Sequence, residues 1–263
     1  MLKPVCCDVS LVELIPLGQT QAAAQTFLLT LESPGWTDWR PGQFVMLRPA
    51  AFGRELTWAR PFSICAADEG RLTILFKRSG RGTDRLVGLT PGAQITVWGP
   101  LGNGFPRVDE LGRPELLLAG GIGLAPFVGY GETHPAPERI LLLFGHRLPL
   151  TAYPFQRIAA RCNAQAYHEQ SMEDLVRFIN LVRKHMVVQI GRGSVLACGP
   201  LPFLRLVQAS ALEYGVTAYI SLENSMACGI GACLGCVQPN TTGWPVQVCT
   251  KGPVFRADAL APL

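Results

Sequence analysis

Apolar and polar positions along the first hundred residues fall into short alternating runs, at 9–15, 26–31, 43–47, 61–65, 72–76 and 94–98. Turn signals at Ser33-Pro34-Gly35, Pro41-Gly42, Asp68-Glu69-Gly70 and Pro91-Gly92 separate several of them. Six such runs with little helical periodicity predict a small antiparallel β-barrel. After Gly99-Pro100-Leu101-Gly102-Asn103-Gly104 the rhythm changes. Continuous apolar runs at 115–119, 140–145, 164–167, 194–198 and 216–221 now alternate with helical stretches. These begin at Leu124, with Pro126 in the first turn, and continue at 154–161, 173–185 and 202–214. Buried strands alternating with helices predict a doubly wound parallel sheet. The expected division is a barrel over 1–105, an α/β domain over 106–220 and a small cysteine-bearing module over 221–263.

Composition narrows the setting. A chain of 263 residues with 48% apolar content has enough material for two cores and a small module. The net charge of +4 comes without a Lys/Arg run, which gives no footprint for nucleic acid. Arg147, Arg157 and Arg161 are the one candidate local basic face. The start, Met1-Leu2-Lys3-Pro4-Val5-Cys6-Cys7-Asp8, has no apolar signal core. The longest uncharged run, 116–131, is glycine-rich and too short to span a bilayer. A cytoplasmic protein without a membrane segment is expected, and nine cysteines suit that compartment if four bind metal and the others are mostly buried thiols.

The cysteines carry the most specific chemistry. Cys228, Cys233 and Cys236 are separated by four residues and then two, and Cys249 follows after twelve more. This is the plant-type spacing for a 2Fe-2S cluster, in which two bridged irons need four thiolates. Gly229, Gly231 and Gly235 would let the loop curl and bring amide N–H groups to the sulfurs. A structural zinc site is the first alternative, although zinc ribbons favour two C-x2-C knuckles. Disulfides are the second, with nothing in the chain suggesting export.

Other stretches are individually less specific. Arg60-Pro61-Phe62-Ser63 sets a cation, a ring and a hydroxyl on one strand, where alternation puts Arg60 and Phe62 on one face and Ser63 on the other. Lys77-Arg78-Ser79-Gly80-Arg81-Gly82-Thr83 leads into a single helical turn at 84–87, with first-turn amides for a phosphate or simply a hairpin turn. Gly120-Gly121-Ile122-Gly123 and Cys198-Gly199-Pro200 stand at carboxyl ends of expected parallel strands, where such sheets bind ligands. Each is equally compatible with an ordinary strand-to-helix turn, and Cys198 with a core thiol. His134, His146, His168 and His185 form no ligand pattern and read as surface or helix-end residues.

Together these stretches resemble the ferredoxin-NADP reductase superfamily. The resemblance implies that Arg60 meets the FAD pyrophosphate, that Pro61 and Phe62 lie against the isoalloxazine, and that the Ser63 hydroxyl sits near the flavin N5. It further implies that Leu75, Phe76 and Lys77 run past the flavin and that Gly82 and Thr83 bind the pyrophosphate. Gly120, Gly121, Gly123, Gly199 and Pro200 would shape the NAD(H) site, with the Cys198 thiol near the hydride path. Phe62 stands where relatives often have Tyr, so a hydrogen bond is lost while stacking is kept. The acidic, glycine-rich loop that many relatives have between 163 and 193 is absent.

With the cysteine module appended, and on the stretch 221–236 above all, the chain resembles the electron-transfer subunits of class 1B dihydroorotate dehydrogenases. That resemblance implies FAD, a 2Fe-2S cluster on Cys228, Cys233, Cys236 and Cys249, and NAD(H) as co-substrate. It also implies an FMN-containing dihydroorotate-oxidising partner in a heterotetramer, and a role in pyrimidine biosynthesis. The rival expectations are the flavin subunit of a hydrogenase or of a bifurcating ferredoxin:NADP oxidoreductase, or a redox sensor that turns nothing over.

Overall fold

The computed structural model describes residues 4–36, 38–107 and 115–263. Met1, Leu2 and Lys3, part of the start read for a signal core, lie outside the described residues, as do Thr37 and 108–114, early in the expected α/β domain. Strands β1 (Val5–Pro16), β2 (Thr26–Glu32), β3 (Phe44–Pro49), β4 (Arg60–Ala67), β5 (Arg71–Lys77) and β6 (Gln94–Leu101) close a barrel in the order β1-β2-β5-β4-β3-β6. Every pairing in it is antiparallel. Closure satisfies the strand edges, and alternation sends Leu29, Leu31, Leu47, Ile64, Ile74 and Ile95 into a fully buried interior.

One seam of the barrel does not zip to its end. The β4–β5 ladder covers Ile64 to Ala67 against Ile74 to Leu72. Before Ile64, β4 pairs only with β3, and beyond Ile74, β5 pairs only with β2. Arg60–Ser63 and Leu75–Lys77 therefore splay apart and present open edges to the same space.

The second unit is a six-stranded sheet in the order β14-β11-β10-β7-β8-β9. β7 (Glu115–Gly120), β8 (Ile140–His146), β9 (Asn163–His168), β10 (Ser194–Cys198) and β11 (Ala218–Ser221) are parallel. β7 is buried throughout, as a central strand covered on both faces must be. The Met172–Val188 helix buries the stripe Phe178, Val182 and Met186, and Ser171 caps it by accepting the Asp174 amide. The Leu201–Tyr214 helix starts with Pro in its first turn and ends on left-handed Gly215. His134 is a helix-end residue as expected, the C-cap after Thr133, although only 8% exposed; the expectation is corrected for His146, which ends β8 and is 5% exposed.

The C-terminal segment does not stand apart from this sheet. After the hairpin β12 (Val237–Pro239) and β13 (Pro245–Gln247) and the short Val248–Lys251 helix, β14 (Val254–Arg256) returns antiparallel to β11 as its sixth strand. The barrel docks on the sheet through the Ala125–Thr133 helix. A Cβ on Gly129 would stand 2.7 Å from the Cys65 carbonyl of β4, so the absence of a side chain sets how closely helix and strand approach. Nearby, the buried Thr26 hydroxyl donates to the Ala152 carbonyl at 2.6 Å.

Candidate functional site

The splayed seam, the carboxyl ends of β7 and β10 and the segment after β11 enclose a cavity of about 550 Å³. Its wall includes Arg60, Pro61, Phe62, Ser63, Leu75, Phe76, Lys77, Gly82, Thr83, Gly123, Cys198 and Gly199. All four residues of the Arg60–Ser63 run face it. The unpaired edge of the strand opens main chain and both faces to the gap, so residues of either parity in the expected alternation reach it. Phe62 is held edge-on by Phe76 at 6.0 Å, and Phe76 is stacked on Phe27 behind it.

Arg60 donates through Nη1 to the Trp58 carbonyl at 2.8 Å, and its guanidinium lies 5.7 Å from the centre of the Phe52 ring. A Cβ on Gly82 would meet Arg60 Nε at 3.0 Å, so the cation rests directly against the first turn of the Arg81–Val87 helix. The Thr83 hydroxyl is occupied within its own loop: it accepts from the Ser79 and Gly80 amides and donates to the Gly80 carbonyl. Thr83 therefore shapes the turn, leaving the first-turn amides without intrahelical partners.

Of the glycine turns, Gly123 and Gly199 line the cavity, whereas Gly120, Gly121 and Pro200 do not. A Cβ on Gly123 would collide with the Cys198 carbonyl, which is why the β7 and β10 turns touch backbone to backbone. Gly120 is held by Pro200, whose Cδ would stand 2.9 Å from an added Cβ. Burial pushes the Cys198 thiol up to about 12, partly offset by a hydrogen bond with Ser221 and reinforced by the charge of Glu223. Cys198 is thus a neutral thiol at ordinary pH.

Phe44, Ile122, Ser221, Glu223, Asn224, Met226 and Pro253 also line the cavity and escaped the sequence reading. They come from segments joined only by tertiary closure. The signal available was the stretch 221–236, already singled out for its resemblance, which contains Ser221, Glu223, Asn224 and Met226.

The four cysteines converge two and two. All four are free thiols: the Cys233 thiol hydrogen-bonds to Cys228, and the Cys249 thiol to Cys236. Every sulfur also accepts a backbone amide: Cys228 from Ile230 and Cys233 at 3.5 Å each, Cys233 from Gly235 at 3.4 Å, Cys236 from Cys249 at 3.4 Å and Cys249 from Gly231 at 3.1 Å. Amides aimed at sulfur stabilise thiolates. Burial works against the Cys228 thiolate, but the Ile230 and Cys233 amides, the Cys233 side chain and the Ala232 amide outweigh it and bring the thiol down to about 6. Cys249 goes the other way, to about 12, through burial and its close partner Cys236.

Among the described residues no three His, Cys, Asp or Glu side chains close on a single-ion position, the geometry a zinc would need. Two pairs of thiols wrapped in amides fit a two-iron centre, with two thiolates for each iron. Gly229 and Gly231 take the expected positive φ, at 71° and 81°, but the third such residue is Leu234 at 55° rather than Gly235. Gly235 serves instead as the amide donor to Cys233.

Cluster loop and cavity are close neighbours. A Cβ on Gly229 would stand 2.7 Å from Met46 Cγ, and Met46 pairs across β3–β4 with Pro61 on the cavity wall. Outward, the loop shows Ile230 and Leu234, 63% and 57% exposed, and the β12–β13 hairpin turn shows Trp244, 72% exposed.

A barrel split along one seam, a doubly wound sheet closing the gap and a four-thiol loop beside it define an oxidoreductase subunit with the ferredoxin-NADP reductase fold. The solved structure of an NADH-dependent reduced ferredoxin-NADP oxidoreductase superposes with a TM-score of 0.77 at 22% identity, over 97% of this chain and 90% of that one. Residues 223–261 match the family model described as the iron-sulfur cluster binding domain of dihydroorotate dehydrogenase B. The dihydroorotate dehydrogenase B (NAD(+)) electron transfer subunit of Listeria monocytogenes serotype 4a (strain HCC23) is 33% identical over 256 residues, 95% of this chain and 98% of its own length. That of Bacillus caldolyticus is 32% identical over 247 residues, 91% of this chain and 94% of its own. The chain belongs to the family of dihydroorotate dehydrogenase B electron transfer subunits. No described helix is long and apolar enough to cross a membrane.

Proposed function

We propose that this chain passes electrons from the FMN of a dihydroorotate-oxidising partner, through a 2Fe-2S cluster and FAD, to NAD+ in pyrimidine biosynthesis. The observation that carries the reading is the adjacency of the amide-wrapped thiols to the cavity in the barrel seam, with Met46 and Pro61 between them. When bound, FAD supplies the exchange between two-electron hydride chemistry and the single electrons that a cluster handles.

In this reading Arg60 and the first-turn amides of the Arg81–Val87 helix hold the pyrophosphate, with Gly82 allowing their close approach and Thr83 fixing the loop. Pro61, Phe62, Leu75, Phe76 and Lys77 form the walls along the flavin ring, with the Ser63 hydroxyl at its reactive edge. Gly120, Gly121, Gly123, Gly199 and Pro200 shape the nucleotide crevice where β7 and β10 meet, the switch point of the sheet. The Cys198 thiol, kept neutral, packs at the crevice without becoming a competing nucleophile. Cys228, Cys233, Cys236 and Cys249 hold the cluster. The exposed apolar side chains around Cys233 are the face that an FMN-bearing subunit covers, in a heterotetramer of two copies of each.

We assign the division 1–105, 106–220 and 221–263 to the flavin, nucleotide and cluster parts, and place the protein in the cytoplasm. The deciding experiment is co-purification from the native host. A dihydroorotate-oxidising FMN partner and a flavin that NADH reduces are expected. A gently purified chain without flavin absorbance overturns the reading, and a partner that oxidises something else overturns the pathway. Cys233→Ala should abolish cluster absorbance while FAD stays bound; loss of both contradicts separate sites.

A further inference from the structure

The four thiols of the cluster loop sit in unlike surroundings. Cys236 and Cys249 are 2% and 1% exposed and belong to the apolar core that also holds Phe44, Met46, Leu101 and Val248. Cys233 is exposed and Cys228 half-buried, on a stretch whose Ile230 and Leu234 turn outward. The pairing keeps this division, because Cys233 bonds with Cys228 and Cys249 with Cys236. One pair therefore meets solvent and the other meets hydrocarbon.

Backbone donors follow the same division. Among the described residues the outward pair accepts four amides, from Ile230, Ala232 and Cys233 to Cys228 and from Gly235 to Cys233. The inward pair accepts two, from Cys249 to Cys236 and from Gly231 to Cys249. Two ferric irons, two sulfides and four thiolates carry a double negative charge, and one added electron makes it triple. The added charge is held most strongly where water and N–H donors surround the sulfurs, and least where the walls are apolar. Exposure and amide count both favour the iron bound by Cys228 and Cys233 as the one that turns ferrous.

That outward end is also where a partner would sit. Ile230 and Leu234 offer only apolar side chains, so a surface packed on them removes water from the Cys228–Cys233 end without supplying donors in its place.

We infer that a docked partner lowers the cluster's affinity for its electron, acting through the Cys228–Cys233 end, so that the assembled complex gives that electron up to the flavin more readily than the free chain does. The change is one electron gained and one ferric iron made ferrous, with no bond broken and no proton transferred. The partner's reduced FMN supplies the electron and FAD takes it. By linkage, the partner binds the oxidised chain more tightly than the reduced chain by the same factor. The inference rests on the reading that these cysteines hold a two-iron cluster and that an FMN-bearing subunit covers them.

The test is a dithionite titration followed by EPR, run on the free FAD- and cluster-loaded chain and on the native complex. The complex should hold the electron about tenfold less tightly, a fall of about 59 mV in the cluster potential. In the free chain Ile230→Lys should raise the potential and Ile230→Glu lower it, both shifts shrinking in high salt. Val187→Lys, a charge added at an exposed position on the Met172–Val188 helix, should leave the potential where it was. Proton NMR of the dithionite-reduced chain should assign the ferrous iron to Cys228 and Cys233. An equal or higher potential in the complex overturns this inference alone, and so does ferrous iron on Cys236 and Cys249. Both of those measurements use the wild-type chain and stand even if an Ile230 variant fails to load its cluster. A chain purified without two-iron absorbance, or without an FMN-bearing partner, overturns the parent reading and this one with it.

Discussion

Arg60 donates to the Trp58 and Ala59 carbonyls and stacks on Phe52, so its guanidinium is in place before any ligand arrives. A preorganised cation beside unpartnered helix amides needs no rearrangement to meet a phosphate, and a charge-assisted hydrogen bond of that kind contributes about 1.5–3 kcal/mol. Arg60→Ala should therefore weaken FAD at least about tenfold, read as the dissociation constant from flavin fluorescence. Unchanged occupancy would remove its phosphate role. Arg60 was legible because cation, ring and hydroxyl fall in one short segment. Glu223 was not, because it reaches the cavity wall only once β11 has paired beside β10.

Among the elements, the turn after β6 fastens the barrel to the segment carrying Cys249. Asn103 donates through Nδ2 to the Lys251 and Val254 carbonyls, at 3.2 and 2.7 Å, and accepts the Val254 amide at 3.2 Å. Its own amide donates to the Gly252 carbonyl at 2.9 Å. Asn103→Ala breaks three bonds at a partly buried seam and should cost about 2–4 kcal/mol, measurable by urea unfolding. Pro253, which lines the cavity, should loosen with it, so flavin affinity should fall in the same variant. The six barrel strands and the alternating helices and strands were legible because each repeats a period over several residues. The unzipped β4–β5 seam was not, since it depends on where two ladders stop. β14 was missed for a related reason: three residues carry too little period to announce a strand.

At the scale of the whole molecule, buried thiols make stability depend on alkaline pH. Burial pushes Cys65 to about 12 from an ordinary 9.0, against the opposing charge of Arg157, and Cys162 to about 11. Between pH 9 and these values the unfolded chain releases protons that the folded chain keeps. Stability therefore falls as pH rises through that window, by at most about 1.4 kcal/mol per pH unit for each thiol. Cys65→Ala should flatten the decline in urea midpoint above pH 9, whatever it does to stability at pH 7. An unaltered slope would mean that other groups govern it.

The return of β14 to the sheet also bears on how the protein is made. A chain interrupted anywhere between β11 and β14 lacks the strand that covers β11, and an uncovered edge is a template for pairing with other chains. The same interruption, if it falls between Cys236 and Cys249, leaves three thiols where the two-plus-two arrangement needs four. Nascent chains are thus prone to aggregation and unable to take up metal over the same interval of synthesis, and one late stretch of polypeptide ends both conditions.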